Sequence, residues 1–500
     1  MPLLPRVDLA PNTLAYELDA LVKPTGFREY DARWLLEKEI NLLGVQALGL
    51  GLGTYIHELG VRPSVVVGHD YRAYSLSVKQ ALTLGLIAAG CEVLDIGLAV
   101  SPMAYFAQFD LDCPCVAMVT ASHNENGWTG VKMGAQKPLT FGPDEMGRLK
   151  TLVLEGKGVE RPGGKLTRVD GVMERYIADA ASRASIKRPL RVIAACGNGT
   201  AGAFAPDALT RMGVQVIPMD CDLDYNFPKY NPNPEDHEML HAMAEAVKRE
   251  GADLALGFDG DGDRCGVVDD EGEEIFADKI GLMLARDLSA LHKDATFIVD
   301  VKSTGLYATD EVLKANGATT VYWKTGHSYI KRKTAELGAL AGFEKSGHFF
   351  FNPPYGFGYD DGLVAAAAVL SMLDRNPGKK LSDLKKALPV AFTSLTMSPH
   401  CDDEKKYKVV EQVTAEYEAL AARGGTILGR KITNVNTING VRVALEDGSW
   451  VLVRASSNKP ELVTVVESLT SEDDMRALFR QEVKPRLAAH PEVGGYNQEI

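Results

Sequence analysis

Val65-Val66-Val67, a turn and a helix-like stretch as far as Gly90, then Glu92-Val93-Leu94-Asp95-Ile96 form the passage on which the fold turns. A β-branched run suits a strand buried on both faces. The glycine stands where a helix C-terminus needs a left-handed residue. Strand, helix and strand at this length make a βαβ crossover, so the two strands are parallel. The pattern returns as Val192-Ile193-Ala194 through Gly213 to Val214-Gln215-Val216-Ile217. It returns again as Phe297-Ile298-Val299 through Gly317 to Thr319-Thr320-Val321-Tyr322. Copies roughly a hundred residues apart indicate related α/β domains rather than a short-period solenoid.

The last quarter follows another rule. Between Ile432 and Glu467 short alternating strands are separated by Asn439-Gly440 and Asp447-Gly448, the strongest of the tight hairpin turns. Helical stretches near Lys405–Arg423 and Ser471–Ala488 flank them. The expected fold class is therefore α/β: three related mixed-sheet βαβ-type domains plus a C-terminal α+β domain with an antiparallel sheet, around a central cleft. The domains read as residues 1–168, 169–275, 276–388 and 389–500, which suits a chain of 500 residues.

Composition excludes several function classes. An apolar content of 45% and a charged content of 24% describe an ordinary globular chain. No apolar run approaches the ~20 residues needed to span a bilayer, and Met1 to Ala10 lacks the apolar core of a secretory signal. The expectation is a cytoplasmic protein, monomer or homodimer. The seven cysteines are scattered, and Cys113-Pro114-Cys115 matches neither a redox nor a zinc spacing; they read as buried free thiols. A net charge of −13 argues against nucleic acid or an anionic membrane as partner. It leaves room for an anionic small molecule where basic groups gather locally.

One segment has no folding rationale. Gly257-Phe258-Asp259-Gly260-Asp261-Gly262-Asp263-Arg264 alternates three carboxylates with two glycines. The carboxylates repel one another and the glycines forfeit packing. A hard divalent cation reverses that account, since it needs anionic oxygens on a backbone able to bend around it. Leu254-Ala255-Leu256 delivers the cluster to the end of a buried strand, where α/β sheets place their chemistry. The all-oxygen donor set favours Mg²⁺. An EF-hand fails, because Arg264 stands at the glycine position and Asp270 at the closing glutamate.

Five further segments carry polar clusters. Ala117-Met118-Val119 runs into Thr120-Ala121-Ser122-His123-Asn124, which is expected to expose a serine hydroxyl at a sheet edge, with the Lys132 ammonium folding back over the loop. Trp323-Lys324-Thr325-Gly326-His327-Ser328 ends a strand, Lys302 closes another, and Phe343-Glu344-Lys345-Ser346-Gly347-His348 forms a turn suited to sugar hydroxyls. Asp360-Asp361 is expected to cap the helix from Leu363 to Leu373. Arg454-Ala455-Ser456-Ser457-Asn458-Lys459 offers a bidentate guanidinium, hydroxyls and an amide, a cradle for phosphate.

Taken in order, these segments resemble the α-D-phosphohexomutase family across nearly the whole chain, and within it the bacterial phosphomannomutase/phosphoglucomutase branch. Phe27-Arg28-Glu29-Tyr30-Asp31-Ala32-Arg33 also resembles an active-site segment of that branch. The chain departs from the family at Trp34, Glu125, Phe343 and Asn458. The resemblance implies reversible phosphoryl exchange between hexose 1- and 6-phosphates of glucose or mannose. Ser122 would carry the phosphoryl group, and hexose 1,6-bisphosphate would be intermediate and activator. Asp259, Asp261 and Asp263 would hold Mg²⁺ against Ser122. His123, Lys132, Arg264 and His348 would serve catalysis, with His348, Lys132 and His327 the open candidates for general acid and base. Tyr30, Arg33, Lys302, His327, Glu344, Ser346 and His348 would bind substrate. Arg454, Ser456, Ser457 and Asn458 would grip the non-reacting phosphate. A Mg²⁺-dependent sugar phosphatase and a phosphoglucosamine mutase are the competing readings.

Overall fold

The structure, a computed structural model, describes residues 4–457 and 459–500. It divides into two compact units, residues 1–277 with 346–383, and residues 278–345 with 384–500.

The first unit holds two sheets. In one, the strands are β1 (Ala32–Leu35), β2 (Ser64–His69), β3 (Glu92–Leu98), β4 (Cys115–Val119), β5 (Trp128–Gly134) and β6 (Lys165–Arg168), in the order β1-β5-β4-β2-β3-β6. The pairs β4/β2, β2/β3 and β3/β6 are parallel, and β1/β5 and β5/β4 antiparallel. The second sheet has β7 (Arg191–Ala195), β8 (Gln215–Met219), β9 (Leu254–Phe258), β10 (Cys265–Val268) and β11 (Glu274–Ile275), in the order β11-β10-β9-β7-β8. Here β7 is parallel to both β8 and β9, and the remaining pairs are antiparallel. The mixed sheets expected from the βαβ pattern are thus present, and Gly90 and Gly213 have φ of 85° and 100°.

Val65, Val66 and Val67 are fully buried, as a parallel strand covered on both faces requires. Part of that cover is a helix pair, Leu42–Glu58 and Ser75–Ala88. A β-carbon on Gly49 would stand 2.2 Å from the Leu82 carbonyl oxygen, and one on Gly85 2.1 Å from that of Gln46. Only glycine lets the two backbones meet so closely.

The second unit supplies the third βαβ copy, β12 (Thr296–Asp300), β13 (Thr319–Trp323) and β14 (Ala341–Phe343), with β12 parallel to both neighbours. Its C-terminal part is an antiparallel sheet. The strands run in the order Phe392–Thr393, Leu462–Ser468, Trp450–Ala455, Val441–Leu445, Arg430–Asn436, Thr426–Ile427. The two hairpin turns fall where Asn439-Gly440 and Asp447-Gly448 place them. Arg442 joins the parts of this unit. Its guanidinium lies 3.7 Å from the Trp450 ring centroid and donates to the carbonyls of Val301 and Ser303 at 2.5 and 2.7 Å. Among the described residues no helix is long and apolar enough to cross a membrane.

Candidate functional site

The acidic loop follows β9 directly. All three of Asp259, Asp261 and Asp263 have no exposed surface, and one carboxylate oxygen from each lies within 4.8 Å of the others. Asp261 Oδ1 and Asp263 Oδ1 have no hydrogen-bond partner among the described residues. Buried carboxylate oxygens left unpaired are costly unless a cation meets them, so the cluster fits a hard divalent ion. Burial, reinforced by the Asp263 and Asp261 charges, pushes the Asp259 carboxyl well above its ordinary range.

Ser122 lies at the C-terminal end of β4 with a positive φ of 51°, and its Oγ is 3.1 Å from Asp259 Oδ2. The expectation of an exposed hydroxyl at a sheet edge is corrected here. β4 is an interior strand and Ser122 is 1% exposed, because the metal loop and a basic side chain close over it. That side chain is Arg72, which donates to the carbonyls of Ser122, Asn124 and Glu125 at 2.9, 2.7 and 3.1 Å. Asp70 accepts from Arg72 Nε, Thr120 Oγ1, Ala121 N and Ser75 Oγ. The pair follows β2 at the same end of the sheet. The sequence reading missed this pair, since Asp70-Tyr71-Arg72 after an apolar strand looks like an ordinary polar turn.

Lys132 differs from expectation too. It sits in β5 opposite Met118, which points its ammonium at the metal loop. Nζ is 2.7 Å from Asp261 Oδ2 and also bonds Asp263 Oδ2. Burial alone would lower its pKa, but these two carboxylates hold it well above the ordinary lysine value. Ser101 Oγ donates to Asp261 Oδ2 at 2.6 Å, a further contact that the sequence did not announce.

Arg33 is buried beside Asp31, at 2.8 Å, and donates to Asn124 Oδ1 at 2.5 Å and to the Ala121 carbonyl at 3.2 Å. Tyr30 is buried close by in sequence. His123 Nδ1 is 3.3 Å from Ser122 Oγ, and the His123 carbonyl accepts from Asn231. Arg264 donates from Nε to His348 Nε2 at 3.1 Å and pairs with Glu235 at 3.1 Å. His348 is 3.7 Å from Asp263 Oδ1 and 4.0 Å from Asp360 Oδ2. Burial lowers its pKa to about 4. Only Asp361 caps the helix Gly362–Asp374, accepting from Leu363 N and Val364 N. Asp360, expected to share that role, faces His348 instead, because consecutive residues in an extended segment point opposite ways. Ser346 is half-buried in the turn before His348.

The second unit carries the remaining groups. His327 opens the helix His327–Glu336, and the Glu344 carboxylate accepts from Gly326 N at 2.5 Å, beside that helix start. Lys302 is buried just past the end of β12. Arg454 is the penultimate residue of its strand, donating from Nε to Asn439 Oδ1 at 2.9 Å and from its terminal nitrogen to Ser457 Oγ at 3.1 Å. Asn439 Oδ1 also accepts from Thr325 N at 3.2 Å. A residue read only as a hairpin turn therefore joins the His327 segment to the Arg454 loop. Ser456 is buried, and its carbonyl accepts from Lys406 Nζ at 2.5 Å. Asn458 lies outside the described residues.

The chain is similar to known proteins along nearly its whole length. Models of phosphoglucomutase/phosphomannomutase match in series: alpha/beta/alpha domain I over residues 24–158, domain II over 174–272, domain III over 276–392, and the C-terminal domain over 400–484. A phosphomannomutase/phosphoglucomutase of Pseudomonas aeruginosa is 33% identical over 92% of this chain and 95% of its own. A phosphoglucomutase of Neisseria gonorrhoeae is 31% identical over 89% and 93%. The crystal structure of a phosphoglucomutase/phosphomannomutase family protein from Burkholderia thailandensis superposes with a TM-score of 0.83. It is 28% identical and covers 95% of this chain and 99% of its own.

Proposed function

Because the chain belongs to the phosphoglucomutase/phosphomannomutase family, we propose that it interconverts hexose 1-phosphates and hexose 6-phosphates of glucose or mannose through a phosphoserine at Ser122. The observation that carries the proposal is the approach of Ser122 Oγ to Asp259, 3.1 Å away in a buried triad of carboxylates.

Asp259, Asp261 and Asp263 would hold Mg²⁺ beside the serine. When bound, Mg²⁺ supplies positive charge to the phosphoryl oxygens, whose negative charge otherwise opposes transfer. In the forward step the bond from Ser122 Oγ to phosphorus breaks, and a bond from the free sugar hydroxyl to phosphorus forms. The hydroxyl proton passes to a base, for which His348, Lys132 and His327 are the candidates. The product is the hexose 1,6-bisphosphate. Its other phosphoryl group returns to Ser122 by the reverse chemistry, and the proton is given back.

The remaining groups bind and orient. Arg33 and Arg72 fix the serine loop through its carbonyls and Asn124. Arg264, held between Glu235 and His348, would meet the transferring group. Glu344 and Ser346 would take two sugar hydroxyls, with Tyr30, Lys302 and His327 contacting the substrate. Arg454, Ser456, Ser457 and Asn458 would hold the phosphate that does not react. His123, whose ring touches Ser122 Oγ, would steady the phosphorylated side chain.

The test is to weigh the purified protein intact and locate a single phosphoryl group by peptide mass spectrometry, then assay Ser122→Ala. Loss of the group and of nearly all turnover, with no stoichiometric release of inorganic phosphate by the wild type, is expected. Wild-type turnover in Ser122→Ala would sink the proposal, and steady phosphate release would favour a phosphatase.

A further inference from the structure

A second group of metal-ligating side chains lies away from the aspartate loop. His237 and His241 stand one turn apart on the helix His237–Glu250. Residues at that spacing share one face, and the two ring centroids are 5.9 Å apart. Glu274, in β11, brings a carboxylate to the same place, and one ligand atom from each of the three lies within 4.8 Å of the others. None of the three takes part in the phosphoryl-transfer site. We propose that His237, His241 and Glu274 form a separate surface site for a divalent transition-metal ion of the zinc class.

The donor set chooses the ion. Two imidazole nitrogens and one carboxylate oxygen suit Zn²⁺, Ni²⁺ or Cu²⁺, whereas Mg²⁺ prefers oxygen alone and keeps much of its water. Zinc bonds of about 2.0–2.1 Å set tetrahedral ligand atoms about 3.4 Å apart. The three atoms therefore need to close by little more than an ångström, a movement within reach of rotation about the side-chain torsions. Both histidines are exposed and Glu274 is half-buried, so an ion enters from solvent and a water completes its shell. The backbone carrying the histidine pair is fixed in advance, since Asp236 caps the helix through Glu238 N at 2.9 Å. Glu235, Asp236 and Glu238 adjoin the pair in sequence.

Bound metal would tie the start of this helix to the β10–β11 hairpin. The segment leading into the helix already touches the site, through Glu235 on Arg264 and Asn231 on the His123 carbonyl. Binding would thus stiffen a segment that supports the serine loop, without adding a group to the chemistry.

The test uses the full chain with Mg²⁺ in large excess, titrated with Co²⁺ as a coloured probe and with Zn²⁺. A visible absorption saturating near one equivalent and a rise in melting temperature with Zn²⁺ are expected. His241→Ala and Glu274→Gln should each weaken binding at least tenfold and abolish the rise, while turnover in Mg²⁺ alone stays at the wild-type value. Absence of saturable binding below ~1 mM Zn²⁺ would overturn the proposal. So would variants binding as tightly as wild type, or binding lost in Asp261→Asn but kept in His241→Ala.

Discussion

The carbonyl oxygen of Ser122 lies 2.5 Å from the point where a β-carbon on Gly260 would stand. The nucleophile loop and the acidic loop therefore meet backbone to backbone, with room for a hydrogen and nothing larger. Gly260 is held there from both sides, its N–H donating to Pro232 at 3.1 Å and its carbonyl accepting from Thr200 N at 3.2 Å.

Gly260→Ala should separate the two loops while leaving both sheets intact. Displacements of about 1 Å at a reacting centre cost on the order of 10²-fold in rate, so kcat should fall by that order with an unchanged circular dichroism spectrum. A kcat within twofold of wild type would show that the approach of the loops is not required.

Asn439→Ala removes one acceptor that serves both Arg454 Nε and Thr325 N. Arg454 then loses its orientation, and hydrogen bonds to charged groups are worth about 1.5–3 kcal/mol. KM for the sugar phosphate should rise roughly ten- to a hundredfold, the equivalent of that range, with kcat much less affected. Steady-state kinetics separate the two parameters, and an unchanged KM counts against the role given to this turn.

Metal occupancy should appear in stability. The acidic loop gathers three buried carboxylates around one ammonium, so chelated protein should carry repulsion that Mg²⁺, under the proposed chemistry, would relieve. Mg²⁺ at about a thousand times its Kd stabilises by about 4 kcal/mol. Melting curves with and without chelator should show the rise, and the Asp261→Asn/Asp263→Asn double variant should lose most of it. An equal rise in that variant would place the ion elsewhere.

Asp361 gives a pH dependence. Burial raises its carboxyl from 3.8 to about 7, although Tyr176 Oη and the N–H groups of Leu363 and Val364 donate to it. The folded value lies above the unfolded one. Between those pH values the native state keeps a proton that the unfolded state has lost, so stability falls as pH rises through the window. Asp361→Asn does not titrate and keeps an acceptor for the cap. Its melting temperature relative to wild type should improve steadily from pH 4 to 7 and level off above. The upper limit is about 4 kcal/mol, at roughly 1.4 kcal/mol per pH unit. A difference independent of pH would contradict the burial argument.

The strands and their parallel pairing were legible because β-branched runs and C-terminal helix glycines each have one structural meaning. Gly90, Gly213 and Gly317 all take the left-handed backbone expected of them. The acidic loop was legible for the opposite reason, since Asp259 to Asp263 makes no sense as folding. Asp70, Arg72 and Ser101 were not, because a polar residue after a strand reads as a turn until its distant partner is known. Lys132 was placed over the wrong loop for a related reason. Sequence spacing gives reach, whereas the alternation of β5 decides which way the side chain points. Asn439 shows the same limit, its turn chemistry being local and its two hydrogen bonds not.

With Ser101 bonded to Asp261 and Gly260 pressed against Ser122, nucleophile and acid cluster form a fixed anvil. Under the proposed chemistry a hexose must be struck there at both ends, and the anvil cannot travel between blows. The workpiece has to be flipped instead, which asks the protein for an enclosure roomy enough for a sugar to somersault and retentive enough not to drop it.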